Sequence, residues 1–451
     1  MMSTEHSLSA GYGSPAAAPA ASRGRGAVTN VRHRFEQVER EAFDDGWFGG
    51  DDTAVALDPS LDDIQDEPRR VAAGGSSDDD VSEAHLSGAS AAAADAALPE
   101  AVGLPQSATQ RYIPVMAVPR TTVRPEQARK LLSRNDSPDI PFDVAVNPYR
   151  GCEHGCVYCY ARPTHAYLGY SPGLDFETRL VAKANAVQAL RAELARPGYK
   201  VSPINIGSAT DVYQPIERTW RLTRGLLELM AETRHPLTLV TKNALVERDL
   251  DLLSTLARDR LVTVFISITT LDADMARTLE PRASAPWRRV ETVRKLAEAG
   301  VPVGVLVAPV IPFINDESME SILEAAAAAG AGSASYTVVR LPWEVKEVFE
   351  TWLHTHFPDR AQRVLHRIED MREGKRNDSS FDTRMRGTGI WADLLRQRFQ
   401  LATRNLGLTG MRPELVRDLF VPPVIAQAVR RGRQNATDAA REAGQMALFE
   451  E

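Results

Sequence analysis

Val144-Ala145-Val146-Asn147-Pro148-Tyr149-Arg150-Gly151-Cys152-Glu153-His154-Gly155-Cys156-Val157-Tyr158-Cys159 decides how the 451-residue chain is read. It joins a short apolar run, Val144–Asn147, to a loop that holds all three cysteines of the protein within eight residues. Downstream, five more runs share the character of the first: Ile204–Ser208, Leu237–Thr241, Val262–Ile268, Val303–Val307 and Tyr336–Val339. They are rich in Val, Ile and Thr and almost free of charge, as expected of strands buried on both faces. Helical stretches separate them, at roughly Ala184–Ala195, Thr219–Thr233, Val246–Arg258, Ala285–Ala299 and Glu317–Ala329, and Gly300 is a stop signal after the fourth. Strand and helix alternating in this way predict a parallel sheet, either doubly wound or curled into a partial barrel. In both, ligands gather at the carboxyl ends of the strands.

Outward from this core the composition changes. Residues 41–100 hold 16 Asp/Glu against Arg69 and Arg70, a net of −14. With the whole chain at −7, the remainder carries +7, so the folded part is mildly basic. Residues 1–110 are expected to be mostly disordered, a low-complexity acidic segment with too little apolar surface to offset its ordering entropy. Two islands interrupt it, Arg23-Gly24-Arg25-Gly26 with Arg34-Phe35-Glu36, and Asp44-Asp45-Gly46-Trp47-Phe48; a solvated tail is the favoured reading and docking on the body the alternative. The predicted organisation continues with a lead-in over 111–141, a core over 142–343, an Arg-rich helical extension over 344–440 and a flexible tail over 441–451. Residues 360–433 carry 16 Lys/Arg and 8 Asp/Glu. A solvated amphipathic face is the favoured reading of that excess, a nucleic-acid surface the alternative.

Other classes drop out. The amino-terminal residues have neither the basic nor the apolar region of a secretory signal. The most apolar stretch, Val301–Ile314, is broken by Pro302, Pro309 and Pro312 and is too short to span a bilayer. Three cysteines make no disulfide framework, and a reducing cytoplasm is the expected compartment.

The C-x3-C-x2-C spacing offers three soft ligands, with Gly151 and Gly155 letting the backbone wrap a bulky object. A [4Fe–4S] cluster normally takes four thiolates; three would leave one iron open to a small molecule. A Cys3His zinc site using His154 or His165 is the competing reading, and buried inert thiols a third.

The cysteine motif, after the first strand of six βα units, resembles the radical S-adenosylmethionine (SAM) superfamily. The longer string Asn147–Cys152 through Cys159-Tyr160-Ala161-Arg162 is similar to its spore-photoproduct-lyase-like (DNA repair photolyase-like) branch. It runs on into Pro163–Gly169 as in an uncharacterised bacterial group of that branch. The resemblance covers about Pro119–Leu406 and the two amino-terminal islands. It implies a partial (β/α)6 TIM-like barrel, with a disordered amino-terminal segment and a carboxyl-terminal helical extension. It also implies a [4Fe–4S] cluster on Cys152, Cys156 and Cys159, with SAM chelating the fourth iron. Reductive cleavage of SAM would then give a 5′-deoxyadenosyl radical that abstracts hydrogen from substrate.

By the same resemblance Ser208 and Asp211, after the second strand, are expected at the SAM ammonium, although no Gly-Gly-Glu stands there; otherwise Asp211 caps a turn. Lys242 is expected at the SAM carboxylate, with a free surface lysine the alternative. Ser267 offers a hydroxyl to a ribose, Val307–Pro312 an apolar wall to adenine, and Tyr158 a backbone contact to adenine. Tyr160 stands where related lyases carry a tyrosine implicated in hydrogen transfer, and Arg340 is a candidate for substrate anions. Glu280-Pro281-Arg282 reads equally as a helix-end ion pair. Spore photoproduct lyases use a further cysteine as hydrogen donor, which this chain lacks, so that route is not expected. The implied substrate is nucleic acid, with RNA, a peptide or a small molecule as alternatives, and a non-catalytic zinc or Fe–S binding protein as the other class. Expected partners are a flavodoxin- or ferredoxin-type electron donor, nucleic acid, and a sliding clamp engaged by Gln445-Met446-Ala447-Leu448-Phe449. No membrane association is expected.

Overall fold

A computed structural model describes residues 24–35, 120–409 and 414–424. Ten strands run in chain order: β1 (Thr122–Glu126), β2 (Leu132–Arg134), β3 (Val144–Val146), β4 (Tyr149–Arg150), β5 (Arg179–Lys183), β6 (Ile204–Ile206), β7 (Leu237–Thr241), β8 (Val262–Ser267), β9 (Val303–Val310) and β10 (Ser333–Val338). Seven form one sheet in the order β10-β9-β8-β7-β6-β3-β2. From β3 to β10 every pairing is parallel and follows chain order, whereas β2 caps one edge antiparallel to β3. Each strand therefore lies beside its predecessor, the arrangement of a barrel rather than of a doubly wound sheet, and β10 and β2 are left as the two ends of a partial barrel.

The expected strands all form. All three residues of β3 and of β6 and all six of β8 are buried, matching their unbroken apolar character. The helices fall where the periodicity placed them, with two adjustments. The stretch from 219 breaks at Arg221, in the left-handed region, into Glu217–Trp220 and Leu222–Thr233. The stretch from 246 begins as a tight 3₁₀ turn, Ala244–Asp249, before the helix Leu250–Arg258. Gly300 adopts φ +73° after the helix Pro286–Glu298 and stops it as expected.

Three features depart from the favoured reading. A second, three-stranded sheet, β1-β5-β4, sits beside the cysteine loop. Strand β10 starts at Ser333, three residues before its apolar run, because Ser333-Ala334-Ser335 pairs with β9 from Gly304 onward. Third, residues 24–35 are not a solvated tail: Ala27, Val28 and Val31 are buried against the body. The Asp44–Phe48 island and the 441–451 tail lie outside the described residues.

Beyond the barrel, helices Val345–His356, Pro358–Asp370 and Gly389–Asn405 pack on it. Trp352 is fully buried, and its indole N–H donates to the Thr278 carbonyl at 3.0 Å. Several arginines of this extension are spent on internal ion pairs, Arg376 with Glu350 and Glu369, Arg384 with Asp139, and Arg398 with Glu320. Among the described residues no helix is long and apolar enough to cross a membrane.

Candidate functional site

The cysteine loop leaves β4 at the carboxyl ends of the parallel strands. Cys152 and Cys156 are buried and Cys159 is half-buried; all three are free thiols. Gly155, at φ +67°, turns the loop between the first two. Behind it lies the docked strap 24–35. Gly26 packs so closely that a Cβ there would stand 1.7 Å from the Gly155 carbonyl oxygen. The Gly26 and Ala27 N–H groups donate to the Glu177 carboxylate at 3.1 and 2.8 Å. The same carboxylate pairs with Arg162, and both side chains are fully buried. Arg162 in turn donates to the carbonyls of Gly155 and Cys156, at 3.1 and 2.9 Å. One buried ion pair thus ties the strap to the loop through charge-assisted hydrogen bonds. Further along the strap, Arg34 pairs with Glu344 at 3.0 Å and lies against the Trp343, Phe35 and Tyr167 rings.

In front of the loop stand the strand-end residues. Asp211, after β6, accepts hydrogen bonds from the Tyr213 N–H at 2.9 Å, the Thr241 hydroxyl at 2.8 Å and the Lys242 N–H at 2.7 Å. His154 Nδ1 lies 3.3 Å from it, and His154 Nε2 lies 3.1 Å from the Asn243 amide nitrogen. Burial alone would push the Asp211 carboxyl up, but His154 and these donors outweigh it and hold it at about 2. Asp211 therefore does cap a turn, and it also links the ends of β6 and β7. Ser208 accepts from the Asn147 amide at 2.9 Å, and its carbonyl receives the Tyr160 hydroxyl.

Lys242 is not a free surface lysine. Its ammonium donates to the Ser267 hydroxyl at 2.6 Å and lies 3.5 Å from Glu280. Glu280 also pairs with Arg289 and accepts from the Tyr158 hydroxyl, in a network buried throughout except at Lys242. Burial would raise the Glu280 carboxyl; Arg289, Lys242 and Tyr158 bring it down to about 2. The Tyr158 side chain is thus turned into the protein, whereas Tyr160, 55% exposed, faces outward beside the last cysteine. The partner of Glu280 is not the neighbouring arginine of a helix-end pair: Arg282 goes to Glu153, at 3.0 Å, and Glu280 to Arg289. Glu177, Arg289 and Asn147 were missed as site-forming residues; only Arg289, a basic residue within an otherwise core-facing helix position, carried any local signal.

The thiols suit a cluster better than a single ion. Among the described residues no trio of His, Cys, Asp or Glu is arranged to hold one metal ion. Of the two histidines proposed as zinc ligands, His154 is engaged as above; His165 has its Nε2 2.9 Å from the Arg179 carbonyl and its Nδ1 buried without a hydrogen-bond partner. Burial pushes all three thiols above their ordinary range, which a bound cationic centre would reverse. Backbone N–H groups support the sulfurs, that of Asp211 at Cys152 and those of Ala161 and Arg162 at Cys159. Two buried hydroxyls, Thr210 after β6 and Thr269 after β8, have no hydrogen-bond partner. Polar groups without partners are what a ligand-ready rim presents.

Residues 146–326 match the Radical SAM superfamily. The match takes in all three cysteines, Cys152, Cys156 and Cys159, which would hold a [4Fe–4S] cluster beside SAM. Over 226 residues the chain is 36% identical to an uncharacterized protein of Mycobacterium tuberculosis, covering 50% of this chain and 66% of that one. It thus spans just under two thirds of that relative's length. An uncharacterized protein of Methanocaldococcus jannaschii is 27% identical over 190 residues, 42% of this chain and 68% of its own. Among solved structures, a spore photoproduct lyase mutant aligns with TM-score 0.43 and 17% identity, over 64% of this chain and 80% of that one.

Proposed function

We propose that this chain is a cytoplasmic radical SAM enzyme whose substrate is nucleic acid. The observation that carries the enzyme reading is the set of three free thiols at C-x3-C-x2-C spacing, gathered at the carboxyl ends of a six-stranded parallel sheet. When bound, the cluster and SAM supply one-electron reductive cleavage of a sulfonium C–S bond and, from it, hydrogen-atom abstraction. The protein's part is to position and to exclude water. Cys152, Cys156 and Cys159 would hold the cluster. Asp211 and Lys242 stand on adjacent strand ends with opposite charges, matching the ammonium and carboxylate of an amino acid; Ser208 and Ser267 add hydroxyls beside them. Receiving SAM there requires Lys242 to exchange part of its contact with Glu280 and Ser267 for the ligand carboxylate. The exposure of Tyr160 beside Cys159 supports a role for it at the substrate, as the resemblance implies. Electrons come from a flavodoxin- or ferredoxin-type donor.

Anaerobic reconstitution with iron and sulfide, reduction, and EPR with and without SAM test the enzyme reading. The expected result is a [4Fe–4S]⁺ signal that changes on adding SAM and is absent in Cys156→Ala. Retained zinc with no cluster signal would end it. The nucleic-acid reading is supported by the basic balance of the extension, and it predicts DNA binding that weakens steeply with salt; no binding at low salt counts against it. Clamp binding through 445–449 is tested by deleting those residues, and undiminished binding removes it.

A further inference from the structure

Arg340 follows β10 at the same rim of the barrel as the cysteine loop. It is partly buried, its Nε is buried without a partner, and its one hydrogen bond is a 3.6 Å contact from Nη1 to the Met385 sulfur, a weak acceptor. Among the described residues no carboxylate lies within ion-pair distance of it. Arg372, almost fully buried, donates only to carbonyls, those of Val339 at 2.6 Å and Arg384 at 3.3 Å, and its Nε also lacks a partner. Arg384 is neutralised by Asp139. Asp378, the other carboxylate within electrostatic reach, is occupied by the Thr383 hydroxyl and the Ser380 N–H. Arg340, Arg372, Arg384 and Lys375 thus face Asp139 and Asp378, an excess of two positive charges. On the other side Arg340 lies within electrostatic reach of the Tyr160 hydroxyl, beside Cys159.

Desolvating a guanidinium without a counter-charge is unfavourable, and a folded chain keeps such a group where something else supplies the anion. We infer that Arg340, backed by Arg372, forms a subsite for a phosphate group of the substrate, holding it beside Tyr160 at the mouth of the cluster site. The guanidinium fork suits the paired oxygens of a phosphate, and the excess of charge suits an oxyanion rather than a neutral group. The subsite rests on the enzyme reading for its purpose but not for its existence.

The test is calorimetric titration of the reconstituted protein with two probes, pyrophosphate and a short single-stranded DNA oligonucleotide. At least one is expected to bind, with affinity falling about 10- to 100-fold in Arg340→Ala. Arg340→Lys, which keeps the charge and loses the fork, should fall between. Arg340-dependent binding of the oligonucleotide alone identifies a nucleic-acid backbone as the source of the phosphate; dependence with pyrophosphate alone identifies a small phosphorylated molecule. Affinity unchanged in both variants, or no binding of either probe by the unaltered protein, overturns the subsite. Iron content and the SAM-induced EPR change are read on the same samples. If anion binding is lost in Arg340→Ala while the EPR response persists, the subsite stands with the enzyme reading. If the unaltered protein lacks that response yet shows Arg340-dependent binding, only the enzyme reading fails.

Discussion

Two guanidiniums flank the cysteine loop, Arg162 fully buried and Arg340 partly so, and they are treated in opposite ways. Arg162, behind the loop, has a carboxylate and four carbonyl contacts, from Gly155, Cys156, Pro172 and Gly173. Arg340, in front of it, has a thioether and an idle Nε. A buried charge with every donor engaged holds a backbone in place, and replacing it loosens what it holds. A buried charge with donors to spare contributes little to the fold and keeps its binding capacity for something that arrives later.

The largest effect should come from breaking the satisfied side. Glu177→Ala leaves Arg162 buried without its counter-charge and frees the strap, with an expected loss of about 3–5 kcal/mol. Denaturant unfolding measures it, and the protein should also retain less iron after desalting. A loss under about 1 kcal/mol would place Arg162 with Arg340 and dissolve the contrast.

His235 extends the satisfied class to a neutral base. Its Nδ1 lies 2.9 Å from the Pro236 carbonyl and its Nε2 2.9 Å from the Tyr199 hydroxyl. Burial lowers its pKa to about 4 from an ordinary value near 6.5. The unfolded chain therefore takes up the proton first. The stabilisation is complete above about pH 6.5 and is lost as pH falls toward 4, by up to about 3 kcal/mol. Melting temperature should rise with pH over that window, and His235→Gln should flatten the rise.

Gly26→Ala probes the seam itself. A methyl group there meets the Gly155 carbonyl, backbone against backbone, so the strap must shift, at about 1–3 kcal/mol. Gly24→Ala meets nothing within 4 Å and is strained only by its φ of +75°, at about 1 kcal/mol. Limited proteolysis should cut near residues 24–35 faster in the first variant than in the second; equal rates would show that the close approach does not hold the strap. The smallest effect is expected on the open side. Arg340→Leu should leave the melting temperature unchanged or raise it slightly, since it removes a desolvated charge and no ion pair.

The parts of this molecule that were legible in its sequence are those whose signal is local. Six uncharged strands announce themselves by composition, and three cysteines in eight residues by count. Strand-end positions such as Lys242 and Asp211 follow once the strands are placed, because the carboxyl end of each points at the same rim. The rest depends on distant pairs. β1, Thr-Val-Arg-Pro-Glu, has no apolar alternation and becomes a strand only by pairing with β5, 57 positions on in the register Thr122 to Arg179. The strap is a glycine-rich, basic stretch that reads as tail. What docks it is Glu177, about 150 positions away and without any motif of its own. Glu280 was visible as a charge, but its true partner, Arg289, lies nine positions on in the first turn of the helix Pro286–Glu298, beyond the arginine beside it in sequence.

The strap also sets an order of events during synthesis. Gly26 and Ala27 leave the ribosome long before Glu177, and Arg34 precedes its own partner Glu344 by 310 positions. At about 5–20 residues per second, that gap is on the order of 15–60 s. The cysteine loop and Glu177 are both made within it, so the near end of the strap can dock while its far end at Arg34 still waits for Glu344. The strap is pinned along its length only after β10 has emerged and Glu344 with it, so cluster delivery has an open interval before the door is shut from the back.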